Sequence, residues 1–334
     1  MKKKWLFLIL IALVSISCLG KGDAHQTVIH PILVSIPDTV ASLPADNYLF
    51  NPPNDSYFSR QWALIKIEGI QAWQITKGRP DIVIAVLDTG IDKDHEDLAG
   101  KVIAEVNFTD SPTAGDLYGH GTHVAGIIAA TADNGIGIAG LAPRCRLLNV
   151  KVADDQGVFL IPNAAKGIVW AVDHGANVIN LSIASLQPSP ELEKAIDYAW
   201  SKGVVVVAAG GTFVGAKLVY PAYYPNCIAV AVTDIDDYVV SWSSKGDWID
   251  VAAPGKDIYS TLPGNQYGTK SGSSMAAAHV SGLAGLLFTI ESDNNGNGFV
   301  NDEVREVIQN SGVSIGGFNK KRVDALKAVQ QVIQ

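Results

Sequence analysis

Residues 271–282 read Ser-Gly-Ser-Ser-Met-Ala-Ala-Ala-His-Val-Ser-Gly, a glycine turn followed by small side chains. An apolar run continues to Ile290, so the pattern predicts a helix over 274–290 that is buried on all sides. A hydroxyl at such a helix start, here Ser274, lies beside unpaired backbone N–H groups and the positive end of the helix dipole. That environment suits a nucleophile that generates an oxyanion, although a serine that simply caps a core helix fits the same stretch.

Two stretches further upstream carry a carboxylate and an imidazole. Residues 83–87 form an apolar run of strand length that ends in Asp88-Thr89-Gly90, and open α/β sheets place their chemistry at such strand ends. Residues 119–126, Gly-His-Gly-Thr-His-Val-Ala-Gly, then open a second apolar helix with His120 in its first turn. Asp, His and Ser in this chain order are the components of a known catalytic triad.

The three motifs together resemble those of the subtilisin-like serine proteases, the subtilases. The likeness runs from about Asn54 nearly to the C-terminus, and it includes Tyr-Pro-Ala-Tyr-Tyr at 220–224 and Asp-Val-Ala-Ala-Pro-Gly at 250–255. The resemblance implies a serine endopeptidase in which Ser274 is the nucleophile, His120 the general base and Asp88 the group that orients the imidazole. It makes His123 a structural, hydrogen-bonded histidine.

Two other classes of site fit parts of these motifs. Aspartic proteases also use Asp-Thr-Gly, but they are all-β and need two copies or a dimer, whereas this chain has one copy in a strand–helix pattern. His120 and His123 are spaced to chelate a metal, but no motif for a third ligand accompanies them. Neither class accounts for the serine motif.

Strand and helix patterns alternate from residue 81 onward. Apolar strand runs occupy 82–87, 102–108, 147–152, 178–183, 204–208 and 228–232; helical patterns occupy 121–130, 163–174, 190–202, 274–290, 302–309 and 323–333. Continuous Val/Ile runs separated by helices predict a doubly wound α/β fold with a mostly parallel sheet and helices on both faces. Trp62 and Trp73 are predicted core anchors on short helices before this region.

Composition narrows the class of protein further. A chain of 334 residues with 48% hydrophobic residues and 32 glycines is typical of one large folded domain rather than a disordered chain. The formal net charge of −8 argues against nucleic acid or an anionic membrane as the partner. We expect a monomer that acts on protein or peptide substrates.

The N-terminus has the pattern of an export signal. Residues 1–18 combine three lysines with an apolar run from Trp5 to Ile16, too short for a membrane span. Ser17-Cys18 at its end resembles a bacterial lipoprotein cleavage site, although Ser15 stands where an aliphatic residue is usual. The N-terminus is therefore compatible with two outcomes: ordinary secretion, or lipid anchoring at Cys18 at the cell envelope.

Residues 19–53 contain scattered Pro, Ser and Asp without a sustained period, which predicts a linker ahead of a catalytic domain over 54–334. Subtilases commonly carry a folded propeptide, and this segment is too short to fold alone. In an oxidising compartment, two cysteines such as Cys145 and Cys227 suggest a disulfide, but the resemblance places them on strands that are far apart in the sheet. We expect two free, buried thiols.

The resemblance also locates the substrate edge and the oxyanion donor. Ser182, Ile183 and Ala184 match a segment whose backbone pairs with the substrate as an added strand, and Ala184 and Ser185 replace two glycines there. These side chains should narrow the P1 pocket or obstruct the peptide. Where subtilases carry the asparagine that donates to the oxyanion, ungapped spacing gives Thr212, and literal matching of Ala-Ala-Gly gives Gly211.

In either alignment, the residue at the oxyanion position lacks the side-chain amide that donates in subtilases. The leading hypothesis is accordingly a slow but active exported serine endopeptidase. The alternative is a catalytically impaired subtilase fold that serves as a peptide-binding module.

Two calcium sites are suggested by the sequence. The resemblance implies a Ca²⁺ site built from the side chains of Asp55, Asp97 and Asn134 and the carbonyls of Ala132, Ile136 and Ile138, all hard oxygen ligands. Residues 293–301, Asp-Asn-Asn-Gly-Asn-Gly-Phe-Val-Asn, match the first half of an EF-hand loop. Position 12 of that loop would be Val304, with Glu303 one place early, and a polar turn before a helix capped by Asn301 explains the stretch equally well.

Overall fold

The computed structural model describes residues 52–212 and 218–334. Its strands are β1 Val83–Asp88, β2 Val102–Asn107, β3 Arg146–Lys151, β4 Val178–Leu181, β5 Val205–Ala209, β6 Cys227–Thr233, β7 Val251–Pro254, β8 Ile258–Leu262, β9 Gln266–Lys270, β10 Val313–Ser314 and β11 Lys321–Arg322. Its helices are α1 Trp62–Lys66, α2 Gly69–Ala72, α3 Gly121–Ala129, α4 Ile161–Asp173, α5 Pro190–Ser201, α6 Ser273–Leu287, α7 Asn301–Asn310 and α8 Ala325–Ile333, after a short 3-10 helix, Phe58–Arg60. The predicted leader (1–18) and most of the predicted linker (19–53) lie outside the described residues.

Nine strands form one sheet in the order β10-β11-β7-β6-β5-β4-β1-β3-β2, and β8 and β9 form a separate antiparallel hairpin. Within the large sheet every pairing is parallel except β10 with β11. The predicted doubly wound, mostly parallel α/β fold is therefore confirmed. The six predicted strands are present with ends within two residues of the prediction.

The sheet is buried on both faces because alternate residues of each central strand pack into different cores. In β1, Ile84 and Val86 pack with α3 and α6, whereas Ala85 and Leu87 pack with α4 and α5. Successive side chains of a strand point to opposite faces, so a strand covered on both sides must be apolar throughout. This is why the strand runs are continuous rather than alternating.

Strand order reverses at β1. From β1 the chain goes to β2 and β3 on one side of it, and then to β4, β5, β6 and β7 on the other. Connections that leave in opposite directions open a crevice at the carboxyl ends of the strands. Asp88, the last residue of β1, lies at this crevice.

Smaller predictions concern the core and the cysteines. Trp62 and Trp73 are both buried, and the Trp73 indole N–H donates to the Leu141 carbonyl at 2.8 Å. Cys145 and Cys227 are free and buried, as expected. Across the described parts of the chain, none of the helices has the length and apolar character required to cross a membrane.

Candidate active site

Asp88 and His120 form a buried acid–imidazole pair. The Nδ1–H of His120 donates to Asp88 Oδ1 at 2.7 Å, and the two residues are 4% and 2% exposed. Because a carboxylate can only accept here, the proton is on Nδ1, and Nε2 keeps its lone pair as a base. The Thr89 backbone N–H also donates to Asp88 Oδ1, at 2.8 Å, which fixes the carboxylate at the end of β1.

A second carboxylate, Asp116, holds the backbone around this pair. Asp116 is 3% exposed; its Oδ1 accepts from Thr89 Oγ1 and from the Gly119 N–H, both at 2.8 Å. Its Oδ2 accepts from the N–H and hydroxyl of Thr122, at 2.8 and 2.7 Å. Asp116 thus connects the end of β1 to both sides of His120 and orients the imidazole indirectly.

The sequence analysis did not identify Asp116, Thr89 or Thr122 as site residues. The available signal was an acidic residue four places before the histidine, in an otherwise polar loop. Polar loop residues are ordinarily solvated, so their burial could not be inferred from the sequence.

Two glycines allow α3 to start against β1. A Cβ on Gly121 would lie 2.1 Å from the carbonyl oxygen of Gly90, and Gly90 itself has φ +107°. Real Cβ atoms do not approach an oxygen so closely, and that φ favours glycine. Any larger residue at 121 would displace His120 from Asp88.

Ser274 lies at the start of α6, which is otherwise wholly buried. Of the 15 residues of α6, Ser274 alone is partly exposed. The preceding Gly272 N–H donates to the Gly255 carbonyl, directly after β7, at 2.8 Å. The helix therefore starts at the carboxyl edge of the parallel sheet, the edge where Asp88 lies, and α3 and α6 pack against each other.

Ser273, the neighbouring hydroxyl, has a separate contact. Its Oγ accepts from the Gly211 N–H at 3.2 Å, and Gly211 follows β5. Ser244 N–H in turn donates to the Gly211 carbonyl at 3.1 Å. The loop after β5 is thereby held against the start of α6, with the partly buried Thr212 as its next residue.

The segment after β4 lies beside the 220–224 stretch. Ser185 pairs with Tyr220 through two antiparallel backbone bonds of 2.7 and 2.8 Å. Ile183 is buried in the core, Ser182 Oγ accepts from Asn180 Nδ2 at 2.8 Å, and Ala184 is partly exposed. Among the described residues, the backbone groups of Ile183 and Ala184 pair with no other backbone group.

The Ser185 side chain is turned away from any approaching peptide. Its Oγ donates to the Gln187 carbonyl and accepts from the Gln187 N–H, both at 3.1 Å, and the residue is 2% exposed. The Ser185 side chain is therefore engaged by Gln187, which does not favour a role in narrowing the P1 pocket or obstructing a peptide, and of the two positions only Ala184 is partly exposed.

His123 is buried and has a structural environment. Its Nε2 lies 3.0 Å from the Ile258 carbonyl and 3.1 Å from that of Gly268. Burial lowers the pKa of His123 well below its usual value, so the ring is neutral and donates from Nε2. The hydrogen-bonded, structural position predicted for His123 is confirmed.

The predicted calcium ligands come together at the loop after α3. Asp55 Oδ2 accepts from the Asp133 N–H, and Asp97 Oδ1 accepts from Asn134 Nδ2, both at 2.9 Å. Burial raises the pKa of both Asp55 and Asp97, and the charge of Asp97 raises the pKa of Asp55 further. Asp55 Oδ1 is buried without a hydrogen-bond partner in the described parts of the chain.

The carbonyls of the same loop divide into two groups. Gly137 accepts from the Tyr57 N–H at 2.7 Å and Ala139 from Gln61 Nε2 at 2.7 Å. By contrast, the carbonyls of Ala132, Ile136 and Ile138 accept no hydrogen bond from any described residue, and the same holds for those of residues 131 and 133–135. Residues 52–212 and 218–334 contain no cluster of three His, Cys, Asp or Glu side chains fit to hold a metal, so a cation here would need these carbonyl and amide oxygens.

An α/β sheet with an acid–imidazole pair and an accessible serine at its carboxyl edge is the architecture of a serine hydrolase. Residues 79–327 match the subtilase family, Peptidase_S8. Thermitase from Thermoactinomyces vulgaris is 46% identical over 284 residues, covering 83% of this chain and 99% of thermitase.

Two further relatives extend the comparison. The thermophilic serine proteinase of Bacillus sp. (strain AK1) is 44% identical over 85% of this chain and 71% of its own length. Subtilisin BL from Lederbergia lenta is 38% identical over 77% of this chain and 93% of its own length. The chain belongs to the subtilase family, and its class is that of the serine-type endopeptidases.

Proposed function

We propose that the chain is an exported endopeptidase that cleaves peptide bonds through Ser274, His120 and Asp88. Ser274 Oγ attacks the scissile carbonyl while His120 Nε2 takes its proton, and Asp88 stabilises the imidazolium. The tetrahedral intermediate expels the amine, protonated by His120, and leaves an acyl-enzyme that water hydrolyses by the same steps in turn. The observation that carries the proposal is the 2.7 Å contact of the buried Asp88–His120 pair. Labelling by a serine-directed fluorophosphonate, which should be lost in Ser274→Ala, tests the proposal.

The oxyanion would be stabilised by the Ser274 backbone N–H and by Thr212. A hydroxyl is a shorter donor than an amide, so we expect slower turnover than in relatives with asparagine at this position. The Ser273–Gly211 contact favours Thr212 over Gly211 as the residue at the oxyanion position. The Gly211 N–H is directed to Ser273 Oγ, so Thr212 is the next residue with a side chain that is available to donate.

Peptide substrates would add a strand beside Ser182, Ile183 and Ala184. The unpaired backbone groups of Ile183 and Ala184 support this, since an extended peptide binds by completing such hydrogen bonds. Export, with or without lipid at Cys18, rests on the sequence of residues 1–18 alone.

Replacing Ala184 with glycine is expected to enlarge the P1 pocket. Removing one methyl group should raise kcat/KM for peptides with large P1 side chains about 10-fold or more relative to small ones. Kinetics on a peptide series that varies only P1 measures the ratio. Ser185→Gly is the matched control, and if it shifts the ratio as much as Ala184→Gly does, the assignment of Ala184 is wrong.

We also propose that Ca²⁺ binds Asp55, Asp97 and Asn134 together with the carbonyls of Ala132, Ile136 and Ile138. The residues fit the ion: two buried carboxylates lie close enough for the charge of one to raise the pKa of the other, and Asp55 Oδ1 lacks a partner among the described residues. A divalent cation would neutralise both carboxylates, and the three free carbonyls would complete its oxygen shell.

Chelation of calcium is expected to lower the melting temperature of the wild-type protein. An ion at 100 times its Kd adds ~2.7 kcal/mol to the free energy of unfolding if it binds only the native state. Differential scanning calorimetry with CaCl₂ or EGTA measures the effect. Asp97→Ala should remove most of it, and a wild-type protein indifferent to EGTA would rule the site out.

A further inference from the structure

The loop between α6 and α7 is folded around three of its own polar side chains. Asp293 accepts from the Gly296 N–H with Oδ1 at 2.7 Å and from the Gly298 N–H with Oδ2 at 2.8 Å. Asn295 Oδ1 accepts from the Asn297 N–H at 3.0 Å. Asn297 Oδ1 accepts from the Phe299 N–H at 2.8 Å. Asp293, Asn295 and Asn297 occupy positions 1, 3 and 5 of the EF-hand pattern, so the loop has the local form that this pattern requires.

Helix α7 contributes two carboxylates to the same loop. Glu303 Oε1 accepts from the Asn294 N–H at 3.0 Å, and Asp302 Oδ2 accepts from the side-chain amides of Asn295 and Asn297 at 2.7 and 3.0 Å. Glu303 was one place early for the EF-hand pattern, yet its carboxylate reaches the loop. The offset of one residue in the sequence therefore does not prevent the Glu303 carboxylate from reaching the ligand positions of the loop.

Both carboxylates leave one oxygen buried and unsatisfied. Glu303 is 8% exposed, and its Oε2 and the Oδ1 of Asp302 have no hydrogen-bond partner in the described parts of the chain. Buried carboxylate oxygens without a partner are costly, so the loop has ligand positions on this side that a cation would complete.

The basic side chain of α7 is engaged elsewhere, so the positive potential that acts on the two carboxylates from this helix is that of its N-terminus. Arg305, the basic residue nearest in sequence, donates to the Pro225 carbonyl and pairs with Asp250 at 3.5 Å. Helix capping does not account for the polar stretch. The helix starts at Asn301 itself, its N-cap Val300 makes no side-chain bond, and Asn301 Nδ2 donates to the Trp200 carbonyl.

We propose that this loop is a second Ca²⁺ site, in which Glu303 and Asp302 hold the ion and Asp293, Asn295 and Asn297 supply loop oxygens. No three acidic side chains of the described residues are already gathered to hold a metal, so the amide oxygens of Asn295 and Asn297 are needed to complete the shell. The ion would take the buried oxygens of Glu303 and Asp302 on one side and the loop oxygens on the other. Ca²⁺ fits better than Mg²⁺, because a flexible loop of amides and carboxylates suits its six to eight ligands, whereas Mg²⁺ demands strict octahedral geometry.

The site would connect the nucleophile helix to the rest of the fold. The loop follows α6, and its Phe299 packs against the turn between α5 and β5, where a Cβ on Gly203 would lie 2.4 Å from the phenyl ring. Asn301 contacts the same turn through Trp200. An ion that orders the loop would therefore fix the far end of α6 against α5.

Calcium binding to the Ser274→Ala protein, which cannot digest itself, tests the proposal. Isothermal titration with CaCl₂ should give two ions per chain if both sites bind. Glu303→Gln, which keeps its size and its bond from Asn294, should reduce the affinity of one ion at least about tenfold. Glu306→Gln, an exposed acid three residues along the same helix, is the matched control and should change neither ion.

Asp97→Ala separates the two sites. In that background one ion should remain, and it should be the one weakened by Glu303→Gln; equal melting temperatures in EGTA for the Glu303→Gln protein and its parent show that the fold is intact. The proposal is overturned if Glu303→Gln binds Ca²⁺ as the Glu306→Gln protein does, or if MgCl₂ binds this site more tightly than CaCl₂. If only the Asp97-dependent ion fails to bind, the first proposed site is wrong and the second is unaffected.

Discussion

Replacing Ser274 with alanine is expected to lower kcat by about 10⁶-fold and to abolish labelling by a fluorophosphonate, because it removes the oxygen that attacks the substrate and the label. Ser274 alone among the residues of α6 is partly exposed, and it lies at the sheet edge that carries Asp88 and His120. Incorporation of a fluorescent fluorophosphonate, followed by peptide mass analysis, measures both the extent and the site of labelling.

Ser273 provides the matched control. Ser273→Thr keeps the oxygen that accepts from the Gly211 N–H, so it should keep most of the labelling, whereas Ser273→Ala should lose part of the activity through the loop after β5. Full labelling of Ser274→Ala together with none in Ser273→Thr would show that the nucleophile is Ser273.

Replacing Thr212 with asparagine is expected to raise kcat at nearly constant KM. An amide donor to the oxyanion contributes about 10²–10³ in kcat, or about 2.7–4 kcal/mol, so the gain should reach up to that range, less whatever the threonine hydroxyl already supplies. Thr212→Val, which keeps the shape and removes the hydroxyl, should lower kcat. Steady-state kinetics on one peptide substrate separates kcat from KM for all three proteins.

Thr212→Asn and Thr212→Val also distinguish the two functions that are compatible with the sequence, an active endopeptidase and a peptide-binding module. If Thr212→Asn and Thr212→Val both leave kcat unchanged in an active enzyme, Thr212 does not contact the oxyanion. If the wild type and Thr212→Asn are both inert to substrate and to fluorophosphonate, the chain is a peptide-binding module on a protease fold. A threonine hydroxyl that bonds to nearby backbone would give a third pattern: Thr212→Val would leave kcat unchanged while Thr212→Asn still raises it, because only the asparagine would then donate to the oxyanion.

The sequence predicted the central strands well and the last strands poorly. Runs such as 228–232 are continuous and apolar because the strands are covered on both faces, and that pattern is visible without a structure. The hairpin β8–β9 was missed because Gln266–Lys270 is mostly polar and half-exposed, so its hydrophobic pattern is weak. β10 and β11 have two residues each and are defined by pairing alone: β10 pairs with β11, and β11 pairs with β7.

By itself the sequence determined the fold class and indicated Asp88, His120 and Ser274 as the candidate acid, base and nucleophile. Those features are local: a run of apolar residues, a glycine that permits close approach, and a reactive side chain next to it. The tertiary structure decided which polar residues are buried. Asp116 and Glu303 look like solvated loop and helix residues in the sequence, but each is more than 90% buried in the fold. Burial depends on segments far apart in the chain, so the local pattern does not reveal it. It places Asp116 where its carboxylate holds the loop around His120, and Glu303 where we propose a cation.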